Sequence, residues 1–445
     1  MTALMDQAAP YMEPAACIKE TDHDFRVHGM VYTSPYLFRL EMDHIFGQTW
    51  IFIGHESELP KIGDYKTSYI GLRPVIMCRG NDGEIHVMLN RCRHRGSVLC
   101  REANGQTKNF QCVYHGWVYD LNGDLLGIAK HKGGYPEDID KSALGLMKVP
   151  QVYNYRGLIF GCMDPEAGDF LNYLGEAKPF LDIHLDRSLI GKINLKYGAH
   201  RTEYRGNWKF QSENAVDGYH GDTVHESFFK LVDEFGNKSG QHGAYTQGEF
   251  EKIIEHRTTG RTVGFENGHG IWESPMTEEA ILAMKNGPHA DYVEKLEKLR
   301  GEKLAHRMLN SMNLMIFPNL AVAHGQLRLI RPIAIDRTEV AIYFYDLESV
   351  PESYNEFRMS GYQRFFGPAG FGSPDDVEIF SINQTGLQAE EVEWLLLSRG
   401  MQREQMDNKG VRTGDPTDET PQRAFHRAWK KLMTSKPGRY GLDIA

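Results

Sequence analysis

The sequence predicts an α+β protein: a small antiparallel β domain inserted in, or set next to, a larger domain of antiparallel sheet plus helices. Three observations predict it. Between Trp50 and Met163 the chain is a succession of short alternating or β-branched runs broken by glycine. After Pro165 helical stretches mix with longer strands. Each half also carries its own group of metal-ligating residue types. A length of 445 residues suits two or three domains, and the texture divides them as 1–49, an N-terminal segment packing on the larger domain; 50–164, the β domain; and 165–445, the larger domain.

Residues 1–35 read as an irregular lead-in, followed by LFRLEMDHIFGQTW, a helix with Leu37, Leu40, Ile45 and Phe46 near helical spacing. The β domain is read from WIFIG, RPVIMCRG, EIHVML, FQCVY, WVYDLNGDLLG and LIFGC, with NDGE and LNGD as hairpin turn signals. Beyond it, FLNYLGEAKPFLDIH reads as helix plus turn, and IGKINLKY alternates as a strand should. SENAVDGYHGDTVHESFFKLVDEF reads as a helix with an internal weakness. Residues 276–309 read as charged surface helices, and QLRLIRPIAI and EVAIYFYDL as long strands. The stretch from Pro374 reads as helical, ending in PQRAFHRAWKKLM.

The net charge of −10 excludes a general nucleic-acid binder, whose footprint would be basic. Neither a long apolar run nor a signal-peptide pattern is visible, so no membrane association is expected. Cys17, Cys78, Cys100 and Cys162 are scattered and do not resemble a disulfide framework, which points to a reducing cytoplasm. No G-x-G-x-x-G dinucleotide fingerprint is present; ENGHGIWE merely contains glycines and does not follow a plausible Rossmann strand.

The first ligand group is Cys92, His94, Cys112 and His115, spaced C-x-H, seventeen residues, C-x-x-H. Zinc fingers group the two cysteines together and the two histidines together. Here each loop supplies one of each, which suits a [2Fe–2S] cluster of Rieske type, one iron on the thiolates and the other on the imidazoles. Gly96 and Gly116 follow the histidines closely, where backbone must approach the cluster. Such a centre accepts single electrons.

The second group lies in Glu213-Asn214-Ala215-Val216-Asp217-Gly218-Tyr219-His220 and extends to His225. Two histidines and a carboxylate on one face of Fe(II) leave positions open for O2 and substrate. Asp217 and His220 would share a helix face, but His220 and His225 would diverge by about 140° on an ideal helix. The helix must therefore bulge, break or unwind, and Gly218 and Gly221 supply the weakness. Asp375 and Asp376 both offer a carboxylate, and either could instead cap the helix that follows.

These motifs, with FFGPAGFGSPDD (365–376) and TDETPQRAFHRAW (417–429), make the chain resemble, over essentially its whole length, the large (α) subunit of Rieske non-haem iron ring-hydroxylating oxygenases. Respiratory Rieske proteins are a poorer match, since they carry an extra cysteine in each cluster loop where this chain has Ser97 and Val113 or Tyr114. The resemblance implies one [2Fe–2S] cluster and one mononuclear Fe(II) per chain, the iron held by His220, His225 and Asp376. It implies that Asn214 orients water or substrate, and that Asp217 bridges His220 to His115 of the partner subunit. It further implies a homotrimer, or an α₃β₃ assembly with a small β subunit, fed by a separate NAD(P)H reductase with or without a ferredoxin. The activity implied is hydroxylation of an aromatic ring with O2, with cis-dihydroxylation of a benzoate-like acid preferred. Monooxygenation or demethylation, and a neutral polycyclic or heteroaromatic substrate, are the alternatives. An electron carrier without oxygen chemistry would need no second metal. Val216, Leu314, Phe317 and Phe366 are candidate pocket lining, and Arg328 or Arg331 a candidate partner for a substrate carboxylate.

Overall fold

The computed structural model describes residues 12–228, 230, 259–323 and 325–436. It divides into two compact units, Met42–Phe170 and Leu171–Lys436, the latter joined by the described residues up to Glu41. Among the described residues, no helix is long and apolar enough to cross a membrane.

In the first unit the alternating runs pair as antiparallel ladders. Asp64–Ile70, Arg73–Arg79 and Ile85–Leu89 pair in succession, and Asn104–Gln106 adds beside Asp64–Ile70. Leu158–Cys162 pairs with both Gln151–Tyr155 and Ile51–His55. Phe110–Gln111, Val118–Tyr119 and Leu125–Gly127 form a third small sheet. Both predicted turns connect paired strands, and Gly83 (φ 83°) and Gly123 (φ 91°) occupy the left-handed conformation such turns need. The core between these sheets includes Ile76, Cys78, Met88, Trp117, Tyr119 and Leu121, and it also contains Cys92 and Cys112. The first ligand group therefore grows out of the core of this unit.

The second unit is built on a nine-stranded antiparallel sheet. Its spatial order is Ala199–Tyr204, Arg337–Phe344, Gln326–Ala334, Leu320–Ala323, Ser311–Ile316, Gly270–Ser274, Arg261–Gly264, Arg412–Gly414, Gln405–Met406. The 276–309 stretch forms three helices, Glu278–Asn286, Ala290–Arg300 and Glu302–Leu309, as its charge pattern predicts. ENGHG is a hairpin turn between two strands, with Gly268 at φ 82°, and not a nucleotide loop. Two expectations came out shorter than drawn. IGKINLKY contributes only the strand Ile193–Asn194, and short strands interrupt the stretch after Gly386 before the helix Thr420–Met433.

Helices Trp208–Asn214 and Thr420–Met433 meet the Pro35–His44 helix at one buried carboxylate. Glu41 accepts from Lys209 Nζ at 2.6 Å, Trp208 Nε1 at 2.8 Å and Trp429 Nε1 at 2.7 Å. Glu41 and Lys209 are both fully buried. Burial pulls the Lys209 amine down, and Glu41 opposes that pull. Such a pair contributes little net stability against apolar residues of the same shape, but removing one partner strands a buried charge. Glu41→Ala is therefore expected to destabilise this unit by about 3–5 kcal/mol. A Glu41→Leu/Lys209→Met double variant should recover much of that, read as denaturation midpoints; equal loss in both would contradict the stranded-charge account.

His269 is the second polar anchor. Its Nδ1 accepts from Phe317 N at 3.0 Å and its Nε2 donates to Tyr173 O at 2.8 Å, so the ring is held neutral. Burial pushes it down from 6.5 to about 4. With the folded value depressed, the unfolded chain binds the extra proton. The stability His269 contributes is thus complete above pH 6.5 and is lost as pH falls towards 4, to the extent of about 3 kcal/mol. Chemical denaturation across that window should show this slope in the wild type and a flatter one in His269→Gln.

Candidate metal centres

Two loops of the same construction present the first group. Cys92 N donates to Ser97 O at 2.8 Å while Gly96 N donates to Cys92 O at 3.1 Å. Cys112 N donates to Trp117 O at 2.8 Å while Gly116 N donates to Cys112 O at 2.9 Å. Gly96 (φ 76°) and Gly116 (φ 69°) make both tight returns possible. Both cysteines are buried and both histidines half-buried, so thiolates face the core and imidazoles the surface. Burial pushes the Cys112 thiol up, but amide donors of Tyr114 and His115, with Cys92 and Ser97, hold it below its ordinary value. That environment favours the thiolate, which is the form that binds metal.

His94 stacks flat on Trp117, ring centres 5.0 Å apart, and meets His115 edge-on at 4.5 Å. Its Nδ1 is buried with no hydrogen-bond partner, whereas Nε2 reaches Tyr135 Oη at 3.4 Å. A buried imidazole nitrogen aimed inward beside two buried sulfurs is what a cluster ligand presents before the cluster is added. The donors do not converge on a single point as zinc requires. Among the described residues, the groups that could share one ion are His220 with His225 and Asp376, and Glu297 with Glu302 and His306. The four donors thus fit a two-iron cluster. Tyr119, which the sequence reading did not single out, places Oη 3.3 Å from Cys92 Sγ and accepts from Arg93 N at 3.1 Å.

The second group assembles where the predicted helix fails. Trp208–Asn214 begins at Asn207, whose side chain caps Lys209 N at 3.2 Å. The helix ends at Asn214, residues 215–220 turn, and a single helical turn, Gly221–Val224, follows. His220 and His225 flank that turn at its two ends, so the break lies before His220 and not only between the histidines. Asp217 and His220 therefore do not share a helix face. They meet through a turn in which Asp217 Oδ1 accepts from Tyr219 N at 2.5 Å and His220 N at 3.3 Å. Gly218 matters here for space: a Cβ would lie 2.2 Å from Pro416 O and 2.3 Å from Trp272 Nε1. The end of the predicted helix, past Phe228, lies largely outside the described residues.

Asp376 enters from the helix Gly372–Gly386 and separates itself from Asp375 by geometry. Its Oδ1 stands 3.5 Å from His220 Nε2 and 3.3 Å from His225 Nε2. Asp375 Oδ2 instead stands 3.6 Å from His225 Nδ1, on the far side of the ring. Asp217 Oδ1 holds the equivalent place 3.6 Å from His220 Nδ1. Ligands about 2.1 Å from one ion, at right-angled to tetrahedral separations, stand about 3.0–3.4 Å apart. The triad's spacings suit an ion better than direct hydrogen bonds, and each histidine has a carboxylate oxygen 3.6 Å behind its Nδ1. Burial pushes the Asp217 carboxyl up, but contacts with His220 outweigh it and hold the group below its usual range. Asn214 Nδ2 reaches both His220 Nε2 and Asp376 Oδ1 at 3.2 Å.

Of the predicted lining, Leu314 and Phe317 are core; Phe317 packs on Trp208 and Phe425. Val216 is buried, and it is Phe365, one residue before Phe366, whose ring meets His225 at 4.9 Å. The two arginines part company. Arg331 pairs with Glu339 on the next strand at 3.5 Å, whereas Arg328 is buried and lies near enough to Asp376 for that carboxylate to favour its charge. The TDETPQRAFHRAW motif proves structural. Gln422 Nε2 donates to Glu213 O at 3.1 Å, and Tyr32, Glu213 and His426 interlock at 2.7–3.1 Å.

A two-iron Cys–His centre and a separate two-histidine, one-carboxylate centre on antiparallel scaffolds define a class: oxygenases that draw electrons through a cluster to a mononuclear iron. Two family models match the chain, the Rieske [2Fe-2S] domain over residues 49–142 and the ring hydroxylating alpha subunit (catalytic domain) over 194–435. The chain belongs to the family of ring-hydroxylating oxygenase α subunits, which carry a Rieske cluster and use mononuclear iron. It is 35% identical to the anthranilate 1,2-dioxygenase large subunit of Acinetobacter baylyi, over 86% of this chain and 82% of that one. It is equally 35% identical to the 2-halobenzoate 1,2-dioxygenase large subunit of Burkholderia cepacia, over 85% and 80%. Naphthalene 1,2-dioxygenase solved with indole in its active site superposes with a TM-score of 0.81 at 28% identity, covering 95% of each chain.

Hydrogen bonds to cluster sulfur stabilise the reduced state. Burial, then the contact with Cys92, keeps the Tyr119 phenol above its usual range and so a donor. Tyr119→Phe should retain the cluster's visible spectrum and move its reduction potential downward; an unchanged potential would show that this hydroxyl does not serve the cluster.

Proposed function

We propose that this protein is the terminal oxygenase that cis-dihydroxylates a benzoate-like aromatic acid, with electrons from a separate NAD(P)H reductase, directly or through a ferredoxin. The observation that carries the oxygenase reading is the convergence of His220, His225 and Asp376 on one point. The acid preference draws on relatives named as anthranilate, 2-halobenzoate and toluate 1,2-dioxygenases. In this reading Cys92 and Cys112 hold one iron of the cluster, His94 and His115 the other, and the triad holds the mononuclear iron. When bound, the cluster supplies single electrons and the mononuclear iron the activation of O2.

The chain's own residues do the positioning. Asp376 offers one carboxylate oxygen to the ion, and Asn214 Nδ2, 3.2 Å from that oxygen, limits its rotation. Asp375 and Asp217 face the Nδ1 atoms of the two histidines and so direct both Nε2 lone pairs to the metal. Phe365 against His225 keeps one side of the site apolar. Asp217 spends Oδ1 on local amides; the bridge we assign it, to His115 of the partner subunit, uses its other oxygen. Such a bridge makes a head-to-tail trimer the functional unit, alone or with three small β subunits, in the cytoplasm.

His225→Ala and Asp376→Ala are expected to lose the mononuclear iron while keeping the cluster's two irons and its spectrum, as iron analysis per chain would report. Asp217→Asn should retain all its iron and a reducible cluster, yet fall by about two orders of magnitude or more in turnover. Normal turnover in that variant removes the bridge. For the reaction itself, the chemically reduced holoenzyme is given O2 and a panel of aromatic acids and neutral arenes in a single turnover. A product heavier by two oxygens and two hydrogens, formed from an acid, is the expected result. One oxygen gained, or a methyl group lost, reassigns the protein as a monooxygenase.

A further inference from the structure

On the inner face of the large sheet, the strand Gln326–Ala334 buries a guanidinium with no carboxylate against it and, beside it, an amide donor with no partner. Arg328 is 6% exposed and Gln326 fully buried. Arg328 Nε donates to Gln326 Oε1 at 3.3 Å, its one hydrogen bond within the described residues. Because a guanidinium has donors only, that bond fixes the amide: Oε1 faces the arginine and Nε2 points away, buried and with no partner. No carboxylate among the described residues stands within 4 Å of Arg328. The other arginine on this strand, Arg331, already faces Glu339. A buried guanidinium left without an anion is costly unless one arrives.

The surroundings select the kind of anion. Ala321, Arg328, Ile342 and His200 lie directly opposite one another across four neighbouring strands and so share one face. The helix Glu352–Phe366 covers that face: Tyr362 Oη meets His200 Nδ1 at 2.8 Å, and Phe366 lies 5.1 Å from the guanidinium carbon. The same segment continues through Phe365, on His225, to Asp376. Adjacent Phe366 and Phe365 thus link the donor pair to the iron site, one ring on Arg328 and the other on His225, and the charge of Asp376 favours that of Arg328. Charge, planarity and flanking rings suit a flat anion attached to an aromatic ring. Phosphate or sulfate would bring more charge and no ring to lie against Phe366.

We propose that Arg328 and Gln326 form the anchor for the substrate's carboxylate, with the guanidinium's two terminal nitrogens taking both oxygens and Gln326 Nε2 donating to one. The assignment rests on the aromatic-acid reading above and deepens it: the anchored end is set on the sheet, and the ring extends towards His220, His225 and Asp376. It also predicts discrimination. A buried site built from charged donors rejects a neutral analogue strongly, because binding it leaves their charge uncompensated. Arg→Lys is not a conservative change at such a fork.

The test is calorimetric titration of the resting holoenzyme with benzoate, anthranilate and salicylate, each against its uncharged amide. The wild type should bind at least one acid about a hundredfold or more tighter than its amide. Arg328→Gln should erase most of that ratio, Arg328→Lys should lie between, and Gln326→Leu should lower it about tenfold. Cluster spectrum and melting temperature report folding; if Arg328→Gln fails to fold, the Lys and Leu variants decide. Unchanged acid-to-amide ratios in the folded variants overturn the anchor and leave the aromatic-acid reading standing. A wild type that binds every amide as tightly as its acid overturns both.

Discussion

The Glu41 carboxylate is the constraint on which the catalytic unit depends. It is buried where three helices meet, and it accepts one hydrogen bond from Lys209 and one from each of two tryptophans. A carboxylate removed from water must have its oxygens occupied, and a lysine removed from water must have its charge opposed. Satisfying both fixes the start of the Trp208–Asn214 helix relative to the C-terminal helix, and Asn207 caps the same end. From that fixed start, seven residues of helix deliver Asn214 to His220 and Asp376. The convergence of His220, His225 and Asp376 is local chemistry standing on a remote ion pair.

A second layer of polar contacts runs parallel to the first. Tyr32, Glu213 and His426 interlock one residue before Asn214, and Gln422 holds the backbone there. Burial, then the nearby Glu213, raises the Tyr32 phenol far above its usual range, so it remains a donor. The helix therefore ends at a defined residue, and the turn after it begins at one. A metal site needs that precision, because a displacement of about 1 Å in one ligand changes the coordination it can offer. The turn itself is closed by Asp217 capping two amides and by Gly218, where Trp272 and Pro416 leave no room for a side chain.

The cluster unit solves the same problem by duplication. Each loop runs from cysteine through histidine to a glycine in the left-handed conformation, with the same pair of backbone hydrogen bonds. Two equivalent loops place two sulfurs in the core and two imidazoles at its edge. The four remaining thiols, Cys17, Cys78, Cys100 and Cys162, are also free and buried, and burial raises each to about 12. They stay protonated at neutral pH and do not compete for iron.

Much of this was legible in the order of the residues. Residue type and spacing singled out Cys92, His94, Cys112 and His115, because each loop carries its donors within four residues and glycine enforces the bend. Hairpin turns at NDGE and LNGD were legible for the same reason: they depend on neighbours in the chain. The five-residue gap between His220 and His225 required a break in the helix, but its position depended on packing against Trp272 and Pro416, far along the chain. Nor could sequence choose between Asp375 and Asp376, or between Arg328 and Arg331. Adjacent or alternating positions differ in the direction the side chain points, and that is decided by which face of the helix or strand the tertiary structure buries. The chain's local order determined which chemistries were present, and burial against distant residues decided which of those groups face one another.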